Sequence, residues 1–429
     1  MSKFDYKKTA IVGFGFLGIS IIWPIFNQYI PLFLQAGNPE FEQQLLAAGR
    51  EIPDIVGFAL PPSLALFIMT WDNLINVFVQ PWVGERSDHT WNRFGRRKGW
   101  ILLGAPIAVV GFVSIPLAQS ALALAAFILI TNVGMALFRS PTVAWLGDLY
   151  TPADRSKANG IINLMGGLGA ILAFVLGGML FTRFGRSAPF IMGAALLVAA
   201  LGLAVGLVKE PRTLGQDARS PESDRSGILA HLRLMFSQSD KSGLWVLLAI
   251  LFWFMGFNAL EAGLSSFAVF TLGIEAGRAS ILAGAVPIAF ALMAWPAGLL
   301  GTKWGRRRTI LIGLTGLALL FAVSYWVIQA EITFLLVLVL AGTFWALVNV
   351  NSLPLVYDYG DERKIGAYTG LYYFSSQLAA VLGPTLGGVV VDVLGDQYRW
   401  LYPFSMVFMA LAWLAMMRVR PLPAVKTAA

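Results

Sequence analysis

The chain has 429 residues, of which 57% are hydrophobic and only 13% are charged, and it contains no cysteine. An ordinary soluble domain carries about a quarter charged residues, so this composition excludes that class, and the missing cysteines exclude a disulfide scaffold. The net charge of +8 would suggest nucleic acid in a soluble protein, but here it has another explanation, given by where the charges lie.

Twelve apolar segments follow one another along the chain, each close to the roughly 20 residues that cross a bilayer. The first six lie near residues 9–34, 56–83, 99–118, 121–148, 158–182 and 186–208. The other six lie near residues 243–272, 276–301, 309–330, 332–357, 364–391 and 399–418. We therefore predict an all-α membrane protein with twelve transmembrane helices in two halves, 1–208 and 243–429, joined by a polar cytoplasmic linker over 209–242.

The basic residues are distributed unevenly between the two sides of these spans. With a cytoplasmic N-terminus, 25 of the 31 lysines and arginines lie on the cytoplasmic side, five lie outside, and Arg139 lies within a span. Basic loops are retained in the cytoplasm. The distribution predicts an integral protein of the plasma (bacterial inner) membrane with both termini inside, and it accounts for the net charge without nucleic acid.

A basic motif occurs after the second span and again after the eighth, at equivalent places in the two halves. The first copy contains Gly84, Asp88, Arg93, Gly95, Arg96 and Arg97, and the second contains Arg306 and Arg307. The ends of the fourth and tenth spans also match, with Asp148 before Arg155 and Asp358 before Arg363. Such a repeat indicates two pseudo-symmetric halves with a site between them near mid-membrane. We interpret the charges as a gating network, whereas a plain basic anchor is the alternative for one copy alone.

Three charged residues lie within the predicted spans, where a charge costs roughly 2.5–3.5 kcal/mol. Asp72 begins a polar stripe in the second span, with Asn73 beside it and Asn76 one turn further. This carboxylate either binds a proton or a solute hydroxyl, or it clamps two helices together. The guanidinium of Arg139 can hold a carboxylate or sugar hydroxyls, or form a structural ion pair. Glu261 in the seventh span can carry a proton, or it forms a salt bridge between the halves.

Amides and aromatic rings supply the remaining candidates for binding a solute, because amides bond polar groups and rings pack against C–H groups. The amides are Asn27, Asn258, Asn349 and Gln377, and the rings are Trp345 and Tyr372. A lone aromatic ring in a span can equally serve packing. The amides are better candidates, since a buried amide needs a partner.

Enzymatic activity is not expected from this sequence. It has only two histidines, both in polar loops, no cysteine nucleophile, and no glycine-rich phosphate loop ending in GK[ST]. We therefore predict neither a cofactor nor a metal site.

The residues around the first basic motif resemble a known family. The stretch Trp71-Asp72-Asn73, Gln80-Pro81, Gly84, Ser87-Asp88 and Arg93-Phe94-Gly95-Arg96-Arg97-Lys98 is similar to the signature of the major facilitator superfamily. Within it, the stretch resembles the glycoside-pentoside-hexuronide:cation symporters and the related sucrose transporters. The segments 345–354 and 369–376 resemble the bacterial sucrose-transporter-like branch, and the resemblance covers about residues 10–418.

This resemblance implies a monomeric secondary transporter that moves a sucrose- or maltose-like sugar by alternating access, with membrane lipids as its other partners. It implies a proton gradient as driving force, with Asp72 and Glu261 as the coupling candidates. Melibiose-type symporters carry two acids four residues apart in the second span, and this chain has Asp72 followed by Asn76, so sodium coupling is less expected. The family's acid in the fourth span falls near Asn132 or Arg139, neither of which is acidic. A facilitator without ion coupling, and a transporter of a non-sugar solute, therefore remain alternatives.

Overall fold

The computed structural model describes residues 4–210, 241–358 and 365–420. Within these ranges the regular structure is helical, apart from one bridge between Asn92 and Gly95. Twelve helices are long and apolar enough to cross a membrane: α1 Tyr6–Gln35, α2 Pro62–His89, α3 Lys98–Leu117, α4 Ala121–Leu149, α5 Lys157–Phe184, α6 Ala188–Leu207, α7 Ser242–Thr271, α8 Ala276–Trp304, α9 Arg306–Val327, α10 Glu331–Asp358, α11 Tyr368–Val393 and α12 Tyr398–Met417. The predicted helical class and number of spans are confirmed.

The second span begins later than its sequence suggests. Residues 51–61 are not helical, and α2 starts only at Pro62. Three prolines explain the shift, because Pro53 and Pro61 hold the preceding backbone extended and Pro62 suits the first helical position. The displaced segment pairs instead with the end of α1, where the amide of Phe58 donates to the carbonyl of Phe33 at 3.1 Å. The helix also ends later than predicted, at His89, so Gly84 and Asp88 lie in its last turns and not in the loop after it.

The contacts divide the chain into two compact units. Unit 1 contains 1–219, 262–287 and 388–398, and unit 2 contains 220–261, 288–387 and 399–429. Unit 1 therefore includes the end of α7, the start of α8 and the end of α11 together with the first six spans. Residues 211–240 of the predicted linker lie outside the described ranges, and the division into 1–208, 209–242 and 243–429 stays a prediction.

In each unit, a glycine lets two neighbouring helix backbones approach closely, and the two helix pairs are equivalent. A Cβ on Gly104 of α3 would lie 2.8 Å from the carbonyl oxygen of Gly134 on α4. A Cβ on Gly313 of α9 would lie 2.9 Å from the carbonyl oxygen of Phe344 on α10. Small residues let helix backbones approach in membranes. The pairs α3–α4 and α9–α10 are thus equivalent elements six spans apart.

Candidate functional site

The first group of polar side chains in unit 1, Asp72, Asn73 and Asn76, lies on α2 just after a break in this helix. The helix is interrupted at Met69 and Thr70 and resumes at Trp71. The side-chain amide of Asn73 donates to the Asp72 carboxylate at 2.9 Å, and Asn76 is buried one turn further. The polar stripe expected on this helix therefore exists, with a carboxylate already held by its neighbour.

Arg139 lies on α4, half-buried among the first six spans. It interacts electrostatically with Asp72, but no ion pair within 4.0 Å joins the two among the described residues. Its guanidinium donates no hydrogen bond to any described residue. A charge in a membrane span whose donors bond no described residue is a candidate for binding a solute. Asn27, on α1, is also half-buried.

Asn132 is a polar residue of α4. In the sequence analysis it was named only because the acid of related symporters falls near it. It is 1% exposed, and neither its amide nitrogen nor its amide oxygen has a partner among the described residues. A buried amide without partners is costly and marks a place for water or for a ligand group. An asparagine inside an apolar stretch of sequence is the feature that could have identified this residue in advance.

The polar and aromatic candidates of unit 2 lie on α7, α10 and α11. The Trp345 ring stacks on Phe257 with centroids 3.9 Å apart, and Phe254 contacts both Trp345 and Tyr372 edge-on, at 5.3 and 6.2 Å. The Tyr372 hydroxyl hydrogen-bonds with Ser352 at 3.1 Å. The structure links Trp345 and Tyr372 through Phe254, which sequence reasoning did not select, as it did not select Phe257. Because Phe257 covers one face of Trp345 and the residue is only 6% exposed, this ring serves packing at least in part.

Glu261 lies on α7 two turns after Phe254, on the same helix face, and its side chain is exposed. Asn258 precedes it by one turn and is half-buried. Asn349 on α10 and Gln377 on α11 are also half-buried. Unit 2 therefore presents a carboxylate and several amides on the helices that carry its aromatic cluster. The described residues contain no group of three or more histidines and acids that could hold a metal ion.

The first basic motif forms an ion-pair network within unit 1. Arg97 is buried and bonds Asp148 of α4 at 2.7 Å, Asp88 of α2 at 2.5 Å and the Ser87 hydroxyl at 2.5 Å. Arg96 pairs with Asp88 at 2.8 Å. Burial by itself lowers the pKa of Arg97, but the hydrogen bonds and charges of Asp148 and Asp88 outweigh it and raise the pKa above its usual value. The guanidinium thus stays charged and links α2, the following loop and α4.

Two residues expected in this network lie elsewhere. Arg155 donates to the backbone carbonyls of Tyr150 and Gly147, at 3.3 and 3.1 Å. The Arg93 guanidinium lies over the Phe94 ring, 4.6 Å from its centroid. Neither contacts an acid of the network, because each side chain finds a nearer partner beside its own helix end or loop.

The second basic motif forms a smaller network within unit 2. Arg306 pairs with Asp358 at the end of α10. Arg307 donates instead to the carbonyls of Met416 and Met417 at the end of α12, at 3.2 and 3.3 Å. Arg363 lies outside the described residues. In each unit, therefore, an arginine of the motif bonds the acid that ends the fourth or tenth span.

The opposite end of unit 1 is closed by contacts between α1, α2, α5 and the later segments of this unit. Gln35 donates to Ser266 at 3.0 Å, the amide of Ser63 donates to Asp392 at 3.0 Å, and Thr182 donates to Glu275 at 2.8 Å. Nearby, the Phe41 and Phe270 rings stack with centroids 4.9 Å apart. We call this set the closed-end contacts.

Comparison with known proteins places the chain among transporters. The sequence model of the family described as "MFS/sugar transport protein" matches residues 13–419. The uncharacterized MFS-type transporter YuxJ of Bacillus subtilis (strain 168) is 27% identical over 77% of this chain and 86% of its own length. Proton-associated sugar transporter A of Rattus norvegicus is 28% identical, but only over 36% of this chain and 23% of its own length. The crystal structure of a mutant of the nucleoside transporter NupG has the same fold, with a TM-score of 0.74, 14% identity and coverage of 97% of this chain and all of that one.

Proposed function

We propose a function from one established premise: this chain belongs to the MFS/sugar transport protein family, and it moves a small solute across a membrane. We infer that the solute is a sugar, a glycoside or disaccharide of the sucrose or maltose kind. The movement proceeds by alternating access and is coupled to proton symport.

The charged and amide groups within the spans carry this proposal. Asp72 and Arg139 lie on α2 and α4, and Glu261 lies on α7, each in a helix that is long and apolar enough to cross a membrane. Sugars are recognised by carboxylates, guanidinium groups and amides that bond their hydroxyls. The unpartnered donors of Arg139 and the unpartnered amide of Asn132 supply such groups among the described residues.

Proton coupling is proposed to use Asp72 or Glu261. Each is a carboxylate in a membrane span, where a change of protonation removes a charge that the surroundings disfavour. The acid that related symporters carry in the fourth span falls near Asn132 or Arg139, neither of which is acidic, so a facilitator without ion coupling is the second candidate. The excess of basic residues on one side supports an orientation with both termini in the cytoplasm.

The test is counterflow uptake in proteoliposomes that contain the purified chain, with a panel of labelled mono- and disaccharides. The panel is run with and without an inward proton gradient. Arg139→Gln is compared with Arg183→Gln, since Arg183 ends α5 beside Phe184 and has no place in the proposed site. We expect Arg139→Gln to reduce uptake by about tenfold or more, because a charged two-pronged donor is lost, and Arg183→Gln to leave it unchanged.

Each outcome of this panel decides between the candidates. Uptake of one sugar that rises with the proton gradient supports the symporter. Exchange of a sugar that ignores the gradient supports the facilitator. If folded protein exchanges none of the sugars, the solute is not a sugar and the proposal is wrong in that part.

A further inference from the structure

Glu210 lies at the start of the predicted linker between the two halves, three positions after the end of α6. Its carboxylate does not point into solvent. It accepts hydrogen bonds from three successive backbone amides, those of Arg96 at 2.5 Å, Arg97 at 3.1 Å and Lys98 at 3.2 Å. It also accepts from the indole nitrogen of Trp145 at 2.7 Å.

These amides lie at the start of α3, where Arg97 is the capping position and Lys98 is the first helical residue. The first amides of a helix have no partner within the helix, and the positive end of the helix dipole favours an anion there. The residue at the capping position, Arg97, provides no side-chain cap of its own. A carboxylate that comes from more than a hundred positions away therefore caps this helix.

The geometry of the loop depends on this carboxylate. Gly95 has a φ of +132°, and a Cβ added there would lie 3.0 Å from the Glu210 carboxyl carbon. Only glycine suits both the backbone conformation and the close approach. The Trp145 side chain is fully buried, so without Glu210 its indole nitrogen would have no acceptor among the described residues.

The same loop carries the ion-pair network. Glu210 bonds the backbone of Arg97, and the side chain of Arg97 bonds Asp148 on α4, one turn after Trp145. One carboxylate thus joins the linker, the loop and α4.

We propose that Glu210 is a positioning residue that fastens the start of the linker to the loop between α2 and α3. The ion-paired arrangement of Arg97 then depends on the linker remaining in place. When Glu210 leaves the amides, the loop is released, the Arg97 side chain withdraws, and Ser87 beneath it becomes accessible. The arrangement of the first basic motif therefore depends on Glu210.

The absence of native cysteine makes a direct test possible. A single cysteine is introduced by Ser87→Cys, at a fully buried position under Arg97, and its rate of maleimide labelling is measured in the purified full-length protein. The matched reporter is Thr309→Cys, which is 1% exposed in the first turn of α9. Each reporter is combined with Glu210→Ala and with Glu210→Gln.

We expect Glu210→Ala to accelerate labelling at position 87 by at least about tenfold, a factor that corresponds to about 1.4 kcal/mol, and to leave labelling at position 309 unchanged. Glu210→Gln retains one acceptor oxygen, so we expect its labelling rate at position 87 to lie between those of the wild-type protein and of Glu210→Ala. Trp145→Phe removes one of the donors and is expected to have a smaller effect. If the alanine variant does not fold, the labelling rate of Glu210→Gln compared with that of the wild-type protein provides the test.

Unchanged labelling at position 87 overturns the proposal, and so does equal acceleration of both reporters, since that would mean a general loosening of the fold. Counterflow adds a second readout: a positioning role far from the solute predicts that Glu210→Ala changes the maximal rate and leaves KM unchanged. A changed KM with an unchanged maximal rate contradicts the proposal. Labelling requires no solute, so it tests this inference even if the proposed sugar is wrong.

Discussion

Gln35 and Tyr398, 363 positions apart in the sequence, share a buried hydrogen bond in which the tyrosine hydroxyl donates to the Gln35 side-chain oxygen at 2.5 Å. Neither side chain has any exposed surface. Gln35 uses its nitrogen for the carbonyl of Pro31 and the hydroxyl of Ser266, both at 3.0 Å. Within unit 1, this triad holds the end of α1 against the end of α7 and the start of α12.

Tyr398→Phe tests how much this triad contributes to the stability of the fold. The variant leaves the oxygen of Gln35 buried without its donor, which costs about 1–3 kcal/mol. We expect the unfolding temperature in detergent to fall by several degrees. Tyr6→Phe is the control, because Tyr6 is 69% exposed at the start of α1. Equal unfolding temperatures for the two variants would show that the hydrogen bond contributes little.

The closed-end contacts are expected to open during transport. Thr182→Cys and Glu275→Cys replace two side chains that hydrogen-bond at 2.8 Å, in a chain with no other cysteine. A short bifunctional thiosulfonate forms a disulfide with each thiol, with sulfinate as the leaving group, and so holds this end shut. Uptake should be blocked and should return when these disulfides are reduced. The single variants, treated with the same reagent, are the controls. Full uptake by completely cross-linked protein would mean that this end does not open.

Asp396 gives a prediction about pH. Burial and the charges of Asp392 and Glu40 raise its pKa, while a hydrogen bond with Asn38 acts in the opposite direction. The folded protein therefore binds this proton more tightly than the unfolded chain does. The ionised carboxylate consequently destabilises the fold at neutral pH, and the penalty disappears below the pKa of the unfolded chain, near 4.

Asp396→Asn removes this penalty, and asparagine tolerates the φ of +55° at this position. We expect the unfolding temperature to rise by about 1–2 °C at pH 7 and the difference to vanish as the pH falls to about 4. Glu51→Gln, at an exposed acid of the non-helical segment before α2, is the control. A gain of the same size at every pH would point to a cause other than ionisation.

The two acid–arginine pairs of the basic motifs differ in burial. We therefore expect removal of the acid to cost a different amount of folding stability in each pair. The side chain of Arg97 is 5% exposed, whereas that of Arg306 is 40% exposed. Asp148→Asn should cost about 2–4 kcal/mol, since it leaves a buried guanidinium with only Asp88. Asp358→Asn should cost at most about 1 kcal/mol, since water replaces the lost partner. Thermal unfolding of both variants measures the difference, and equal losses would contradict this explanation.

Much of the fold was accessible from the sequence because hydropathy is a local property. A run of about 20 apolar residues must form a helix in a bilayer whatever its neighbours are, so the twelve spans could be counted in advance. The same logic identified Asp72, Arg139 and Glu261, because a charge in such a run stands out. Prolines 53 and 61 displaced the start of α2, an effect that composition alone did not reveal.

Contacts between distant residues were decided by the tertiary structure. A carboxylate that bonds backbone amides leaves no pattern in the sequence, because every residue except proline has such an amide, and so the role of Glu210 was invisible. The stacking of Phe257 on Trp345 and the bond between Tyr398 and Gln35 likewise depend on which faces of separate helices meet. The sequence by itself determined which segments enter the membrane and which charges they carry. Helix packing determined which of those groups are held by a partner and which, like Arg139, keep their donors available.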